Sequence, residues 1–189
     1  MLRIPVPASG EDGVALLFHF DRSSISRLRD CIEARCSLKE KWMMSKVEKA
    51  MERFLKGYNC AQSVLYAFCE DLNLEEETAL KIAGGFGGGM AGKQEVCGAV
   101  TGGIIVIGLK YGQGADDNKR AKEIAYNKTR ELMDGFRERH GTCLCRELIR
   151  DCDLMTREGQ RYFKEKDLLN SICKPCVQSA VALLEQIMR

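Results

Sequence analysis

Val96-Cys97-Gly98-Ala99-Val100-Thr101-Gly102-Gly103-Ile104-Ile105-Val106-Ile107-Gly108-Leu109 is the stretch on which the fold turns. It is almost wholly apolar or small, with no charge. A membrane-spanning helix needs about 20 such residues, so a run of this length suits a buried central helix. Ile104 to Ile107 alone would suit a strand, but the length of the run favours a helix. Gly98 and Gly102 lie four apart and share one helical face, where a neighbouring backbone can come close.

The flanking segments are helical too. Towards the N-terminus, residues 84–92 hold six glycines and form a loop. Before it, residues 73–83 read as a helix whose first turn carries Glu75, Glu76 and Glu77, as the helix dipole favours. Asn59 is suited to cap a helix that turns Ala61, Val64, Leu65 and Phe68 inward. Val47, Met51, Phe54 and Leu55 recur at helical spacing, and Gly57 is a stop signal. On the C-terminal side, residues 116–139 read as a long charged helix with Ile124, Leu132 and Phe136 inside. Segments 145–149 and 175–188 follow. The expected fold is all-α, a compact multi-helix bundle around the small-residue apolar helix.

Residues 1–44 differ from the rest. They hold Pro5, Pro7 and the breaker Gly10-Glu11-Asp12-Gly13, with at most a short helix over 25–32. A poorly structured extension is expected there, with Met43 or Met44 as a candidate natural start, and a helical domain over 45–189.

The 29 basic and 27 acidic residues leave a formal charge of +2, so no broad basic field invites nucleic acid or an anionic membrane. Ten cysteines are the outstanding feature. The only apolar run near the start, Val14 to Phe18, is short and follows Glu11 and Asp12, unlike an export signal. The chain is therefore expected in the cytoplasm with reduced thiols.

The thiols fall at predicted helix starts. Cys60 follows the cap Asn59, Cys97 opens the central helix, Cys143 and Cys145 open the next short segment, and Cys173 and Cys176 bracket Pro175. A helix N-terminus offers unpaired N–H groups and partial positive charge, which favour a thiolate. Cys69 reads as a core residue within its helix, and Cys31, Cys36 and Cys152 as incidental. Cys143-Leu144-Cys145 and Cys173-Lys174-Pro175-Cys176 together resemble a four-thiolate site for iron–sulfur or zinc. The latter motif also suits a reversible disulfide with Cys176 as resolving thiol, although the strand–helix–strand setting of thioredoxins is missing.

Two other motifs carry less. The loop Gly87-Gly88-Gly89-Met90-Ala91-Gly92 satisfies G-x-G-x-x-G, but a helix precedes it where nucleotide sites need a strand, and Gln94 replaces the P-loop hydroxyl. Gly87, Gly88 and Gly89 are read instead as backbone that passes close to the thiol pocket. His140 reads as a solvated loop residue rather than a ligand or proton carrier.

Gly57-Tyr58-Asn59-Cys60-Ala61-Gln62, Gly85-Phe86-Gly87-Gly88-Gly89, Val96-Cys97-Gly98-Ala99-Val100-Thr101-Gly102, Cys145-Arg146-Glu147-Leu148 and Cys173 resemble, in order, the redox-active cysteine family named C_GCAxxG_C_C. The likeness runs over residues 46–188, and the middle element here reads Cys-Gly-Ala-x-x-Gly. The resemblance implies a helical redox protein of the kind found mostly in anaerobic microbes. Its cysteines are Cys60, Cys97, Cys145 and Cys173, with Cys143 and Cys176 as extras.

The foremost expectation is thus an electron-transfer protein in which those four thiolates, with Cys143 as a further candidate, hold an iron–sulfur centre. A thiol–disulfide oxidoreductase and a structural zinc protein are the alternatives. Expected partners are a redox protein or a small-molecule thiol, and the Gly98/Gly102 face could also join two copies of the chain. All of this requires sulfurs distant in sequence to meet in one pocket beneath several helix ends.

Overall fold

A computed structural model of the protein describes residues 44–115 and 119–189. The expectations for residues 1–43, including the extension, the Met43 start, the short helix, Cys31 and Cys36, lie outside the described residues. Among the described residues the helices are α1 (Lys46–Leu55), α2 (Cys60–Ala67), α3 (Glu76–Ile82), α4 (Gly98–Tyr111), α5 (Lys119–His140), α6 (Cys145–Leu148), α7 (Arg157–Glu165) and α8 (Lys174–Ile187). A 3-10 turn covers Gly84–Phe86, and a π-helical turn covers Leu169–Cys173. The chain is all-α, and among the described residues the only extended pairing is one antiparallel bridge between Val96 and Leu144.

Local chemistry explains the ends of the first helices. Ser45 and Glu48 form a capping box at the start of α1. At its end Gly57, at φ +91°, lets its own N–H reach Phe54 O at 3.1 Å and the Tyr58 N–H reach Arg53 O at 3.3 Å, a Schellman stop. Leu55 departs from expectation: it lies beside the buried Phe54, off the inner face, and is 64% exposed. α3 begins later than expected, because Asn73 takes a left-handed turn at φ 48° and Glu75 caps Thr78.

Asn59 caps α2 as expected, forming a second box with Gln62. Its Nδ2 also donates to Gly84 O at 3.0 Å and Ala83 O at 3.4 Å, while Gln62 Nε2 donates to Leu80 O at 2.9 Å. The pair thus ties the start of α2 to the glycine loop. Asn59→Ala removes a cap and strands these carbonyls, so it is expected to cost about 2 kcal/mol. Urea unfolding measures this, and a loss no larger than that of an ordinary surface substitution contradicts the role assigned to Asn59.

α4 is the centre of the bundle. A Cβ at Gly102 would sit 2.7 Å from Ala61 O and 3.0 Å from Ala61 Cα, and one at Gly98 would sit 2.9 Å from Phe86 O. α2 therefore lies on the glycine face of α4 at backbone contact. Gly103, on another side, makes room for Leu132 of α5 and Leu184 of α8. Val100, Val106 and Ile107 are fully buried, whereas Leu109 in the last turn is 49% exposed. On α5, Leu132 and Phe136 are fully buried as expected, and Ile124 is only half-buried.

Two elements lack a sequence signal. α7 carries mostly charged residues, and its only large apolar side chains, Tyr162 and Phe163, pack on the cluster of Cys145, Ile149 and Cys152; two adjacent aromatics make no helical run of apolar positions. The run from Leu169 continues without a break into α8, and Pro175 lies inside it. Proline cannot donate to the carbonyl four residues back and crowds it. The preceding turn widens instead, with the Lys174 N–H bonding Leu169 O five residues back. Among the described residues no helix is long and apolar enough to cross a membrane.

Candidate thiol centre

Five sulfurs from five places in the chain line one cavity of about 210 Å³: Cys60, Cys97, Cys145, Cys173 and Cys176. The four cysteines expected to meet do so, and Cys176 joins them. Apolar side chains, among them Phe54, Ile149, Phe163 and Ile172, form most of the wall, and Gly88 and Gly89 supply backbone. All eight described cysteines are free thiols.

Each sulfur is placed by its neighbours in the fold. The close contact of α2 with α4 brings Cys60, the first residue of α2, beside Gly98. The segment holding Cys143 and Cys145 is sewn to residues 94–97: the Cys97 N–H donates to Cys143 O at 2.8 Å, Cys145 N–H to Glu95 O at 2.7 Å, and Arg146 N–H to Gln94 O at 3.0 Å. Gly89, at φ +66°, crosses directly over Cys145, where a Cβ would lie 2.7 Å from Cys145 Cβ. Gly87 is not part of the lining; it makes room for Asn59 instead, where a Cβ would lie 2.7 Å away.

Gln94 is an organising residue that the sequence gives little sign of. It is buried at φ 61°, donates through Nε2 to Cys152 O at 2.7 Å and accepts the Leu154 N–H at 2.9 Å. It thereby holds the 152–154 strand of chain against the loop that frames Cys145.

The sulfurs pair across the fold. Cys173 acts most strongly on the ionisation of Cys60, and Cys176 on that of Cys97. The C-x-x-C motif therefore sends its two thiols to different partners. Cys143, a candidate ligand from sequence, lies outside the lining: its sulfur donates to Met133 O at 3.3 Å in the main core, and its carbonyl positions Cys97. Cys152 is buried beside Cys145 and Ile149, its sulfur donating to Gly159 O at 3.2 Å.

Of Cys60, Cys97, Cys143, Cys145 and Cys176, each expected at a helix start, only Cys97 is favoured as a thiolate. Its ionisation is pulled down by the Cys176 thiol and by the N–H groups of Ala99 and Val100, against the opposing effect of burial. Cys60 is pushed well up by the Cys173 hydrogen bond and burial, and Cys176 strongly up by Cys97 and burial. Burial raises Cys145 to about 12. The physical reasons are local. At the start of α2 the Gln62 N–H is already bonded to Asn59. α6, which Cys145 opens, is a single turn.

His140 is not a loop residue. It ends α5, stacks on Phe136 with ring centroids 4.5 Å apart, and holds Nδ1 3.9 Å from Cys176 Sγ. Its Nε2 is buried without a partner among the described residues. Burial and the neighbouring Arg139 lower its pKa. Among the described residues, no group of three or more His, Cys, Asp or Glu side chains is placed to hold a single metal ion. The thiols surround a space rather than converge on a point.

Cys69 has the core role expected of it, although it lies just past the end of α2 rather than within the helix; its sulfur donates to Leu65 O at 3.7 Å. Burial raises its pKa from 9.0 to about 11. The unfolded chain then ionises this thiol first, so its contribution to stability is intact below about pH 9 and falls as pH rises towards 11. Cys145 acts in the same direction. Urea midpoints measured from pH 8 to 11 should decline, and Cys69→Ala should flatten part of that decline. An identical slope in the variant refutes the assignment.

The family described as "Putative redox-active protein (C_GCAxxG_C_C)" matches residues 58–187. An uncharacterized protein of the archaeon Archaeoglobus fulgidus is 30% identical over 133 residues, covering 65% of this chain and 88% of its own. No solved structure matches the chain. The stretch matched by the family holds all five sulfurs of the cavity, and the chain belongs to the C_GCAxxG_C_C family.

Proposed function

We propose that this chain is an electron-transfer protein whose thiolates Cys60, Cys97, Cys145 and Cys173 hold an iron–sulfur centre. The observation that carries the reading is the convergence of these four sulfurs, from four separate elements, on one apolar-walled cavity of about 210 Å³. An all-sulfur donor set suits soft metals and excludes magnesium and calcium. A single zinc ion would need four sulfurs each about 2.3 Å from a common point, and among the described residues no three such side chains are placed to hold one ion. A cluster supplies one-electron chemistry at a potential tuned by hydrogen bonds to sulfur and by exposure.

The chain's own residues would do the rest. The N–H groups of Ala99 and Val100, in the first turn of α4, favour the Cys97 anion. Gly88 and Gly89 let backbone come within reach of the cavity, and Phe54, Ile149 and Phe163 exclude water from its wall. Eight free thiols are in keeping with a reducing cytoplasm. A redox protein or a small-molecule thiol is the natural partner for such a centre, and association of two copies is open to test by ultracentrifugation.

Anaerobic purification, iron and acid-labile sulfide analysis, and a visible spectrum test the reading. Stoichiometric iron and sulfide with a broad absorption that bleaches on reduction is the expected result. Colourless, metal-free protein with a titratable dithiol replaces it with a thiol–disulfide oxidoreductase, and zinc alone with a structural site.

A further inference from the structure

Six successive N–H groups at the end of the glycine loop have backbone acceptors. Met90 donates to Phe86 O at 3.3 Å, Ala91 to Gly85 O at 2.9 Å, Gly92 to Gly87 O at 3.1 Å, Lys93 to Met90 O at 3.1 Å, Gln94 to Gly88 O at 3.1 Å and Glu95 to Gly89 O at 3.0 Å. The two N–H groups just before them, those of Gly88 and Gly89, have no acceptor among the described residues. Both residues line the thiol cavity, and Gly89 is buried. A buried N–H without an acceptor is rare in a folded chain, because it has given up water for nothing.

The backbone is strained at the same place. Gly88 to Gly92 run left-handed without a break, at φ 60°, 66°, 65°, 53° and 81°, although Met90 and Ala91 carry side chains that disfavour this conformation. Gly89 lies so near Cys145 that a Cβ on it would be 2.7 Å from Cys145 Cβ and 2.8 Å from Glu95 N. Successive N–H groups in a turn form a concavity that holds anions. Two such donors beside a thiol, in a mostly apolar wall, suit anionic sulfur.

We infer that Gly88 and Gly89 donate hydrogen bonds to the sulfur of the bound centre on its Cys145 side and thereby raise its reduction potential. A donor aimed at sulfur stabilises negative charge. The reduced centre carries one more negative charge than the oxidised one, so the donors favour reduction. The inference rests on the iron–sulfur reading and names the residues of this chain that tune the centre.

The test compares the full-length, anaerobically purified chain with the same chain stripped of metal. Hydrogen–deuterium exchange is read residue by residue by electron-transfer fragmentation. The Gly88 and Gly89 amides should exchange more slowly in the loaded chain by about tenfold or more, while those of residues 90–95, already bonded, change less. If iron is present and both glycine amides exchange as fast as in the stripped chain, the inference fails and the centre stands. A wild-type chain that holds no iron sinks the centre, and the inference with it. Glycolic acid in place of Gly89 supplies a second readout, since its ester oxygen replaces the N–H and nothing else. The loaded ester chain should show a lower midpoint potential in a spectroelectrochemical titration, at unchanged iron content. The same change at Gly114, which is exposed and does not line the cavity, should leave the potential where it was. A potential unmoved by the ester at position 89 overturns the inference. If that chain fails to assemble the centre, exchange in the wild type decides.

Discussion

Serine in place of Cys60, Cys97, Cys145 or Cys173 is expected to abolish the visible absorption and iron content of the anaerobically purified protein. A hydroxyl is a hard, neutral donor where a cluster needs thiolate, so one oxygen atom in the ring is enough to lose the centre. The four sulfurs come from α2, the cap of α4, the start of α6 and the junction before α8, and of the other described cysteines only Cys176, three residues after Cys173, lines the same cavity. Cys69→Ala and Cys143→Ser are the controls. Cys69 lies against Leu65 in the core, and the Cys143 sulfur is bonded to Met133 O outside the cavity. Both controls should keep the colour. Thermal unfolding of every variant separates loss of the centre from loss of the fold. If Cys143→Ser bleaches the protein and Cys145→Ser does not, the ligand set is wrong.

The largest effect on stability is expected from Gly102→Val. Any Cβ at this position meets the backbone of Ala61, at 2.7 Å from its oxygen and 3.0 Å from its Cα, and Val64 Cβ at 3.1 Å. Backbone cannot rotate aside as a side chain can, so α2 must move off α4. Overpacking of a buried site costs about 1–3 kcal/mol and occasionally more, and a branched residue against backbone belongs at the upper end. That is a large share of the roughly 5–15 kcal/mol that holds a domain folded. Because α2 carries Cys60, the same displacement should also open the thiol cavity. Gly108→Ala, on the same helix, should act in the opposite direction. Nothing lies within 4 Å of its Cβ, and the site is exposed. Alanine there should add about 1 kcal/mol through helix propensity alone. Calorimetric unfolding of the two variants should therefore show midpoints shifted in opposite directions. A neutral Gly102→Val means that the two helices are not in backbone contact.

Much of the fold was legible in residues close together in the chain. Asn59 with Gln62, Gly57 after Leu55, and the run of small and apolar residues after Cys97 all act within a turn or two, which is the range of capping, stop signals and helical periodicity. The same range explains the misses. Arg157–Glu165 is a helix whose inner face rests on only two large apolar side chains, Tyr162 and Phe163, adjacent in sequence. The π turn before Pro175 answers a clash that exists only because the helix runs on past the proline. Leu55 shares its neighbours' hydropathy but not their direction.

The position of the thiols was open to the same reading, because cysteines placed at Asn59, at the head of the apolar helix and around Pro175 mark the elements whose ends come together. Which sulfur faces which was decided only in three dimensions. Cys173 and Cys176 are three apart, so helical geometry turns them to neighbouring rather than identical directions, and Cys173 acts most strongly on Cys60 while Cys97 acts most strongly on Cys176. Cys143 and Cys145 are two apart, and one enters the core while the other enters the cavity. Ionisation was decided there too. Burial penalises the thiolates of Cys60, Cys97, Cys145 and Cys176, and of these only Cys97 is favoured on balance, through Cys176 and the N–H groups of Ala99 and Val100. Desolvation and hydrogen bonding act through space between distant parts of the chain, whereas capping and periodicity act along it, and that difference divides what the sequence determined from what the tertiary structure decided.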